Sequence, residues 1–516
     1  MYWVDDARDI SPGATEDGPR WPALAGRAKR VPWCWPALLA LALGSYRIGR
    51  PELWRDELAS WTLADRPLGT MFATARRIDG AQLPYYLVLH YWIKAFGDSP
   101  DAMRSLSVLA MAGAAVCVTL TGQRLAGPRA GQVAGLVFAL IPSISRFAQE
   151  VRFYALQVLL ATLATLLLLR ALDRPVVRRW AAYAATVAAL GYLDLVALVL
   201  VTGHLAAVAV ARRDNRDNRL LGVIPAVAAA IAACLPIIII GSGQAGSQIG
   251  WILRPGLDLT AFSSFGQNLC YSTPVAAALL ILGVAAWAVD RRAAAFTTAV
   301  MLLPVVAVWV MSQGAYSYFF SRYLLFTVAA WAILAGIAVS RFHVAVAVAA
   351  VLLIALLGAS DQGVIREPGA HSWASYPVSA DRGYWDYANA ASLIARSGVG
   401  GRDTGIVFPI VPGEYLMIDA GVRYYLEQDG AVVPRQLFVA ETAQQADGLY
   451  AVACKHPAAC LGSEDRIWIV TAGRETDAWT AVPPSEAALL RARYHSVLTR
   501  HTQGLSIFLL QRDAPA

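Results

Sequence analysis

Residues 31–61 read VPWCWPALLALALGSYRIGRPELWRDELASW, and this stretch indicates what kind of protein the chain is. Its first half, Val31 to Tyr46, is an uncharged apolar run that approaches the ~20 residues a helix needs to cross a bilayer. Directly after the run stand two adjacent carboxylates, Asp56 and Glu57. Ionisable groups beside lipid are costly to keep, so they point to a functional site.

The composition of the whole chain agrees with a membrane protein. Of its 516 residues, 57% are hydrophobic and 15% are charged, whereas soluble domains are about 25% charged. The mean hydropathy of +0.49 excludes a disordered chain, a coiled coil and a conventional soluble enzyme. The sequence therefore predicts a polytopic α-helical membrane protein.

Ten further apolar runs bring the predicted number of transmembrane helices to eleven. These runs lie at residues 102–121, 130–145, 153–171, 179–193, 194–211, 220–241, 274–289, 294–312, 322–340 and 343–360. Alternate connections between them carry arginines, for example Arg291 and Arg292, and positively charged connections are typically cytoplasmic. This alternation predicts a cytoplasmic tail at residues 1–30, a membrane domain at 31–360, and residues 361–516 outside the cytoplasm.

One outer loop, residues 47–104, is expected to be large and cationic, with eight Lys and Arg. Within it, Leu83–Phe96 is apolar and aromatic but too short to span, and is typical of a helix lying in the membrane interface. The basic residues of the membrane part, 30 Lys and Arg against 19 Asp and Glu in residues 1–360, fit cytoplasmic loops. Because no basic stripe or motif for nucleic acid occurs, we expect no nucleic-acid partner.

Residues 361–516 have a mildly acidic composition, with 13 Lys and Arg against 17 Asp and Glu. Strand-like runs (Thr404–Val411, Arg466–Thr471, Leu505–Leu510) alternate with helical patterns (Tyr384–Ser397, Ser485–Arg493), which predicts a small α/β or α+β domain. Cys454 and Cys460, the only cysteines there, are expected either to form a disulfide or to remain as two thiols. The chain has no CxxC or His-rich metal pattern.

Three clusters on the predicted outer face carry candidate chemistry. Asp56 is a candidate base for an acceptor hydroxyl, and the alternative for Asp56–Glu57 is a solvated acidic pair beside Arg55. The other two clusters contain arginines, whose guanidinium groups suit phosphate oxygens. For the first of them the alternative is a structural Arg–Glu pair, and for the second it is an arginine snorkelling to the interface. Those two clusters consist of Arg146, Gln149, Glu150, Arg152 and Tyr154, and of Arg322 and Tyr323. An anionic headgroup bound at this face explains all three.

Taken in order, the segments LWRDELASW, DGAQLPYYLVLHYWIKAFGDSPDAMRSLSVLA, PSISRFAQEVRFYALQ and SRYLL resemble the polytopic GT-C glycosyltransferases. Within that superfamily they are most similar to the group of protein O-mannosyltransferases and lipid A aminoarabinose transferases. The resemblance covers roughly residues 31–340. It implies inverting transfer of a sugar from a polyprenyl-phosphate carrier to an acceptor at the outer leaflet, without a nucleotide donor.

Carried over position by position, the resemblance makes Asp56 the proposed base and Glu57 its acidic neighbour. It assigns the carrier phosphate to the segment Gln149–Tyr154, which includes Glu150 and Arg152, and to Arg322 with Tyr323. The interfacial segment departs from the family's pattern of a Pro pair that sometimes follows a basic residue, since only Pro84 is present and Gln82 precedes it. Further candidates for positioning the acceptor or the loop are Arg55, Arg76, Arg77, Tyr85 and His90.

Several alternatives remain open at this level. Mannose is the expected donor sugar, with an arabinofuranose or amino sugar as alternatives, and the acceptor is a glycan, a lipoglycan or a protein. A divalent metal (Mg or Mn) held by Asp56 and Glu57 also stays open, although the mechanism does not require one. A flippase for a lipid-linked sugar and a non-catalytic binding protein are the rival functions. The Ala- and Arg-rich composition favours a high-GC bacterium, and thus its plasma membrane and cell envelope.

Overall fold

The computed structural model describes residues 33–215, 221–256, 259–372, 384–398, 403–410 and 416–514. The predicted cytoplasmic tail, residues 1–30, lies outside them. The described residues form a helical part up to Val364 and, beyond it, a region that mixes helices with a sheet. The predicted fold class, a helical membrane protein with a C-terminal α/β region, is confirmed.

The helical part contains, among the described residues, sixteen α-helices. They are α1 (Cys34–Ser45), α2 (Arg55–Ala64), α3 (Leu68–Arg77), α4 (Leu83–Phe96), α5 (Pro100–Ala126), α6 (Pro128–Leu140), α7 (Pro142–Ala148), α8 (Tyr154–Asp173), α9 (Val177–Leu193), α10 (Leu200–Asn215), α11 (Val223–Ile249), α12 (Leu259–Cys270), α13 (Thr273–Val289), α14 (Arg291–Met311), α15 (Val328–Val339) and α16 (Val344–Val364). A 3-10 segment, Ser321–Thr327, leads into α15.

Six helices in the described part are long and apolar enough to cross a membrane, or up to eight if each of two bent pairs forms one span. The bent pairs are α6 with α7 and α12 with α13, with bends of 62° and 105°. α1 and residues Val196–Ala209 are shorter apolar helices. The exact number of eleven spans stays a prediction.

Two predicted spans are interrupted in the structure, for local reasons. The run 130–145 breaks at Ile141, because Pro142 cannot continue a hydrogen-bonded helix and instead begins α7. The run 194–211 begins with a turn, since the Asp194 side chain accepts a hydrogen bond from the Val196 N–H (2.9 Å) and α10 starts only at Leu200. α12 was not predicted.

The helices of the membrane part pack closely through small residues, as membrane helices do. α6 contacts both α5 and α15. A Cβ atom on Gly131 of α6 would lie 2.3 Å from the Thr119 carbonyl oxygen of α5, and one on Gly336 of α15 would lie 2.2 Å from the Ala130 carbonyl oxygen. Glycine is therefore needed at both contacts, which hold α5, α6 and α15 together near the end of α5 that lies away from the loop 47–104.

That loop is not irregular but folds into α2, α3 and α4. The bounds of α4 are those of the predicted interfacial helix, Leu83–Phe96. Its inner face buries Tyr85, Tyr86, Leu89 and His90. Since α2 and α4 pack on each other, the loop presents a rigid surface beside the ends of the longer helices.

The described elements of the C-terminal region are α17 (Tyr387–Arg396), β1 (Thr404–Val407), α18 (Ile418–Gln428), β2 (Arg435–Gln436), β3 (Val439–Glu441), β4 (Val452–Ala453), α19 (Pro457–Cys460), β5 (Arg466–Ala472), α20 (Pro484–Arg491), β6 (Tyr494–Thr502) and β7 (Leu505–Arg512). Five strands form a sheet of order β2-β1-β5-β7-β6, in which β1 is parallel to β2 and β5 and the remaining pairs are antiparallel. A second pair, β3-β4, is antiparallel. Cys454 and Cys460 are joined by a disulfide.

The C-terminal region docks on the loop 47–104 through tyrosine hydroxyls. Tyr384 donates a hydrogen bond to Glu52 Oε1 (2.8 Å), and Tyr424 donates one to the Asp98 carbonyl oxygen (2.9 Å). The Leu53 N–H donates to the Tyr425 hydroxyl (2.8 Å). The two parts of the chain therefore meet at the segment that precedes Asp56.

Candidate active site

The start of α2 positions the two carboxylates. Trp54 is the residue before the helix, and its N–H donates a hydrogen bond to the Glu57 side chain (3.4 Å), as in a capping box. Asp56 and Glu57 both lie in the first turn, where the unpaired N–H groups of a helix favour negative charge. Successive helical residues point about 100° apart, so the two side chains face different surroundings.

Asp56 lies at the edge of the site and is held by arginines. Its side chain is 11% exposed, and Arg322 Nη1 donates a hydrogen bond to its Oδ2 at 2.9 Å. Arg55 Nε lies 3.9 Å from its Oδ1. Burial opposes the charge of Asp56, but the guanidinium groups of Arg322, Arg152 and Arg55 outweigh burial and lower the pKa of this carboxyl. Asp56 is therefore an ionised carboxylate at neutral pH.

Glu57, in contrast, is fully buried in a bidentate ion pair. Arg104 donates to it twice, from Nε to Oε1 (2.9 Å) and from Nη2 to Oε2 (2.8 Å). The Val151 N–H donates to Oε1 as well (2.9 Å). Glu57 thus joins three segments of chain, and its oxygens are already occupied.

Three of the predicted phosphate-binding residues form a buried layer behind Trp54. Arg146 Nη1 lies 3.1 Å from Glu150 Oε2, and both side chains are buried. Glu150 Oε1 accepts a hydrogen bond from Trp54 Nε1 (3.0 Å). Gln149 Nε2 donates to the carbonyl oxygens of Gly44 (2.8 Å) and Tyr46 (2.9 Å), at the end of α1. These contacts resemble the structural Arg–Glu pair considered above.

The other predicted phosphate-binding residues gather around Asp56. Arg152 Nη1 donates to Ser60 Oγ (3.3 Å), and the Arg322 guanidinium carbon lies 5.6 and 5.7 Å from the ring centres of Tyr154 and Tyr323. Among the described residues, the Nε atoms of both arginines and the Tyr154 hydroxyl are buried without a hydrogen-bond partner. Buried polar groups are nearly always paired, so this group of donors is suited to an anion.

The remaining candidates fall into two sets. Tyr85 is buried close to the site, and its hydroxyl also has no partner among the described residues. His90 Nδ1 lies 2.6 Å from the Ala64 carbonyl oxygen and ties α4 to the end of α2. Arg76 is exposed on α3, whereas Arg77 Nη1 donates to the Ala446 carbonyl oxygen (3.2 Å), so Arg77 contacts the C-terminal region.

Three residues of this site were not singled out from the sequence. Trp54 contacts Glu150 and lies beneath the guanidinium groups of Arg146 and Arg322, 5.9 and 5.8 Å from its ring centre. Arg104 was counted only as one basic residue of the loop. Asp79 accepts a hydrogen bond from the Tyr86 hydroxyl and interacts electrostatically with Arg152 and Asp56. The Asp-Gly dipeptide at this position, a turn signal, was the available clue.

Within the described residues, no three His, Cys, Asp or Glu side chains are grouped as the ligands of a metal ion would be.

The chain is similar to known proteins at the level of a family model and of solved structures. A family model described as dolichyl-phosphate-mannose-protein mannosyltransferase matches residues 83–240. No curated protein sequence matched the chain. Several solved structures did.

The solved structures include ArnT from Cupriavidus metallidurans in the apo state, with 13% identity, a TM-score of 0.54 and coverage of 92% of this chain and 97% of that chain. ArnT bound to undecaprenyl phosphate matches with the same identity and coverage and a TM-score of 0.52. The Archaeoglobus fulgidus oligosaccharyltransferase tethered with an acceptor peptide has 10% identity, a TM-score of 0.45 and coverage of 93% and 74%.

The chain has the fold of the GT-C glycosyltransferase superfamily, which confirms the resemblance read from its motifs. Within that superfamily, the fold is shared with ArnT over nearly the full length of both chains.

Proposed function

We propose that this protein is an inverting glycosyltransferase that moves a sugar from a polyprenyl-phosphate carrier to an acceptor at the outer face of the plasma membrane. The observation that carries the proposal is an ionised Asp56 at the edge of the site, flanked by Arg322 and Arg152, whose Nε atoms have no partner in the part of the chain that the structure describes. The binding of undecaprenyl phosphate by ArnT, a protein of the same fold, supports a carrier of this kind.

In the proposed reaction, an acceptor oxygen attacks the anomeric carbon while Asp56 takes the proton of that hydroxyl. The bond between the anomeric carbon and the carrier phosphate breaks on the opposite face, and its electron pair leaves with the phosphate. Arg322 and Arg152 stabilise the charge that develops there. Arg322 binds Asp56 through Nη1 (2.9 Å), and its Nε, which has no partner among the described residues, remains for the phosphate.

Five buried residues act in this scheme by positioning α2 and its base. They are Glu57, Arg104, Arg146, Gln149 and Glu150. Their contacts bind α2 to the end of α1, to the start of α5 and to the segment before α8. A base must be held within a fraction of an ångström of its working position, and a buried network of this kind holds it. We assign Glu57, Gln149 and Glu150 no direct contact with the donor, whereas Arg146, whose Nε is also buried without a partner among the described residues, remains a candidate for the carrier phosphate as well.

The carrier's lipid tail requires an apolar path beside the arginines. A groove of about 310 Å³ is lined by residues of α13, α14 and α15, and α15 directly follows the segment that carries Arg322. This groove suits an isoprenoid chain. Mannose is the donor sugar we propose first, on the mannosyltransferase family match, and a cell-envelope glycan, a lipoglycan or a protein is the acceptor.

The test is transfer by purified protein in nanodiscs. Radiolabelled polyprenyl-phosphate mannose, arabinose and aminoarabinose are offered with membrane-extracted acceptors to the wild type, Asp56→Asn and Asp65→Asn. We expect Asp56→Asn to lose at least ~100-fold in rate, the usual contribution of a general base, while Asp65→Asn, an exposed carboxylate at the other end of α2, keeps wild-type activity. Transfer that survives in Asp56→Asn, or a wild type that consumes none of the donors, contradicts the proposal.

A further inference from the structure

Asp79 is a carboxylate of the site that the proposed mechanism does not use. It lies between α3 and α4, where its backbone adopts the left-handed conformation (φ 56°, ψ 31°). Residues other than glycine rarely adopt this conformation, although Asp does so more readily than most. Such conformations occur often at functional sites, where surrounding contacts hold them in place.

The contacts that hold Asp79 come from two directions. The Tyr86 hydroxyl, one turn into α4, donates a hydrogen bond to Asp79 Oδ2. The N–H of Gly80 donates to Gln244 Oε1 of α11 (2.7 Å). A Cβ atom at Gly80 would lie 2.6 Å from Ile240 Cγ2 of the same helix, so only glycine allows this approach. The turn is therefore clamped between α4 and α11, and the direction of the Asp79 side chain is fixed.

The surroundings of Asp79 are those of a site that is incomplete without a ligand. Asp79 is only partly buried, and it interacts electrostatically with Arg152, which also interacts with Asp56. In the same region the hydroxyls of Tyr85 and Tyr154 and the Nε of Arg152 are buried without partners among the described residues. Burial raises the pKa of Asp79, although Arg152 and the Tyr86 hydrogen bond act in the opposite direction.

The carboxyl group of Asp79 indicates what it binds. It offers no cationic N–H groups of the kind that hold a phosphate, so Asp79 is unsuited to contact the carrier phosphate itself. Its oxygens accept hydrogen bonds in either protonation state, and sugar hydroxyls donate them. If the phosphate lies against Arg152 and Arg322, the sugar attached to it lies one bond away, within reach of a neighbouring side chain.

We propose that Asp79, oriented by Tyr86, binds a hydroxyl group of the donor sugar and so forms the sugar subsite next to the phosphate-binding arginines. This inference rests on the proposed function. It assigns the sugar-recognising group to the turn between α3 and α4, while Asp56 serves the acceptor.

The test compares two ligands that differ only by the sugar. Dissociation constants in nanodiscs are measured for undecaprenyl phosphate and for undecaprenyl-phosphate mannose, arabinose and aminoarabinose, with wild type, Asp79→Asn, Tyr86→Phe and the control Asp65→Asn. A hydrogen bond to a charged group corresponds to roughly tenfold or more in affinity. We expect Asp79→Asn to weaken the preferred sugar-linked carrier about tenfold and undecaprenyl phosphate less than twofold, and Tyr86→Phe to have a smaller effect of the same kind.

The comparison separates recognition from a structural role. If Asp79 acts only by holding Arg152, both ligands weaken equally in Asp79→Asn, and the inference is overturned. Unchanged affinity for both ligands overturns it as well. If the wild type transfers sugar but binds all the carriers with equal affinity, the sugar subsite is contradicted and the proposed function is not. If the wild type binds no carrier, both the sugar subsite and the proposed function are contradicted.

Discussion

Residues 56 and 57 are neighbours in the sequence with opposite roles in the structure. Asp56 keeps 11% of its side chain exposed, is bound once by Arg322, and lies beside arginine N–H groups that have no partner among the described residues. Glu57, in contrast, is fully buried and bound twice by Arg104. From the sequence, both were candidate catalytic carboxylates, with Asp56 as the base and Glu57 as its acidic neighbour. Their different surroundings follow from the angle between successive helix positions and from Arg104, which lies 47 residues away. A residue's role here depends on its partners more than on its type.

Glu57→Gln tests this difference through stability. Removing one partner of a buried ion pair leaves the other charge uncompensated and typically costs about 3–5 kcal/mol. We therefore expect Glu57→Gln to lower the unfolding temperature by several degrees and Asp56→Asn to lower it much less. Thermal unfolding in detergent measures both. An equal loss of stability in the two variants would contradict the assignment of Glu57 as a structural residue.

At the scale of elements, the loop 47–104 and the C-terminal region form one continuous surface. Arg66, at the end of α2, donates to the Gly448 carbonyl oxygen between β3 and β4 (2.7 Å). A narrow crevice beside this contact is lined by residues of both parts, including Glu52, Arg55 and Tyr387. Because the crevice includes Arg55, the residue next to Asp56, we expect the C-terminal region to contribute to acceptor binding.

The docking of these elements should depend on pH through Glu52. Burial, followed by the nearby charge of Asp386, raises the pKa of Glu52 to about 8. The folded protein then keeps a proton that the unfolded chain releases above about pH 4.3, so this contribution to stability is lost as pH rises toward 8. We expect the unfolding temperature of the wild type to fall between pH 5 and 8, and that of Glu52→Gln to fall less steeply over the same range. Equal slopes for the two proteins would show that Glu52 does not control the docking.

At the scale of the whole molecule, the contacts of the C-terminal region put it on the same side of the membrane as Asp56. The Arg322 segment also lies on this side, since it contacts Asp56. α14 begins at Arg291 and has 21 residues, about 31 Å of helix, which is enough to reach the opposite face. The predicted topology with arginine-rich connections in the cytoplasm is consistent with this arrangement.

Cysteine labelling in intact cells tests the topology. In a Cys34→Ser background, Arg76→Cys, Thr476→Cys and Arg291→Cys, all at exposed positions, are treated with a membrane-impermeant maleimide. We expect labelling at positions 76 and 476 without permeabilisation and at position 291 only after it. Labelling of 291 together with 476 in intact cells would require a different path of the chain through the membrane.

The sequence alone determined the features that depend on local composition and order. Apolar runs predicted the helical membrane part, and the alternation of short strand-like and helical patterns predicted the C-terminal α/β region. The helix Leu83–Phe96 was predicted with the bounds that it has in the structure. The superfamily followed from four motifs in order. Each of these signals lies within a few tens of residues, because hydrophobic periodicity and charge over a short segment determine which helix or strand that segment forms.

The tertiary structure alone decided which candidates surround Asp56. It gathered Arg152 and Arg322 there and buried Gln149 and Glu150 in the frame behind them. It also assigned Arg77 to the C-terminal region and revealed Asp79. The physical reason is that burial and charge pairing depend on partners far apart in the chain, 266 residues for Asp56 and Arg322, and such pairings leave no periodic trace in a single sequence.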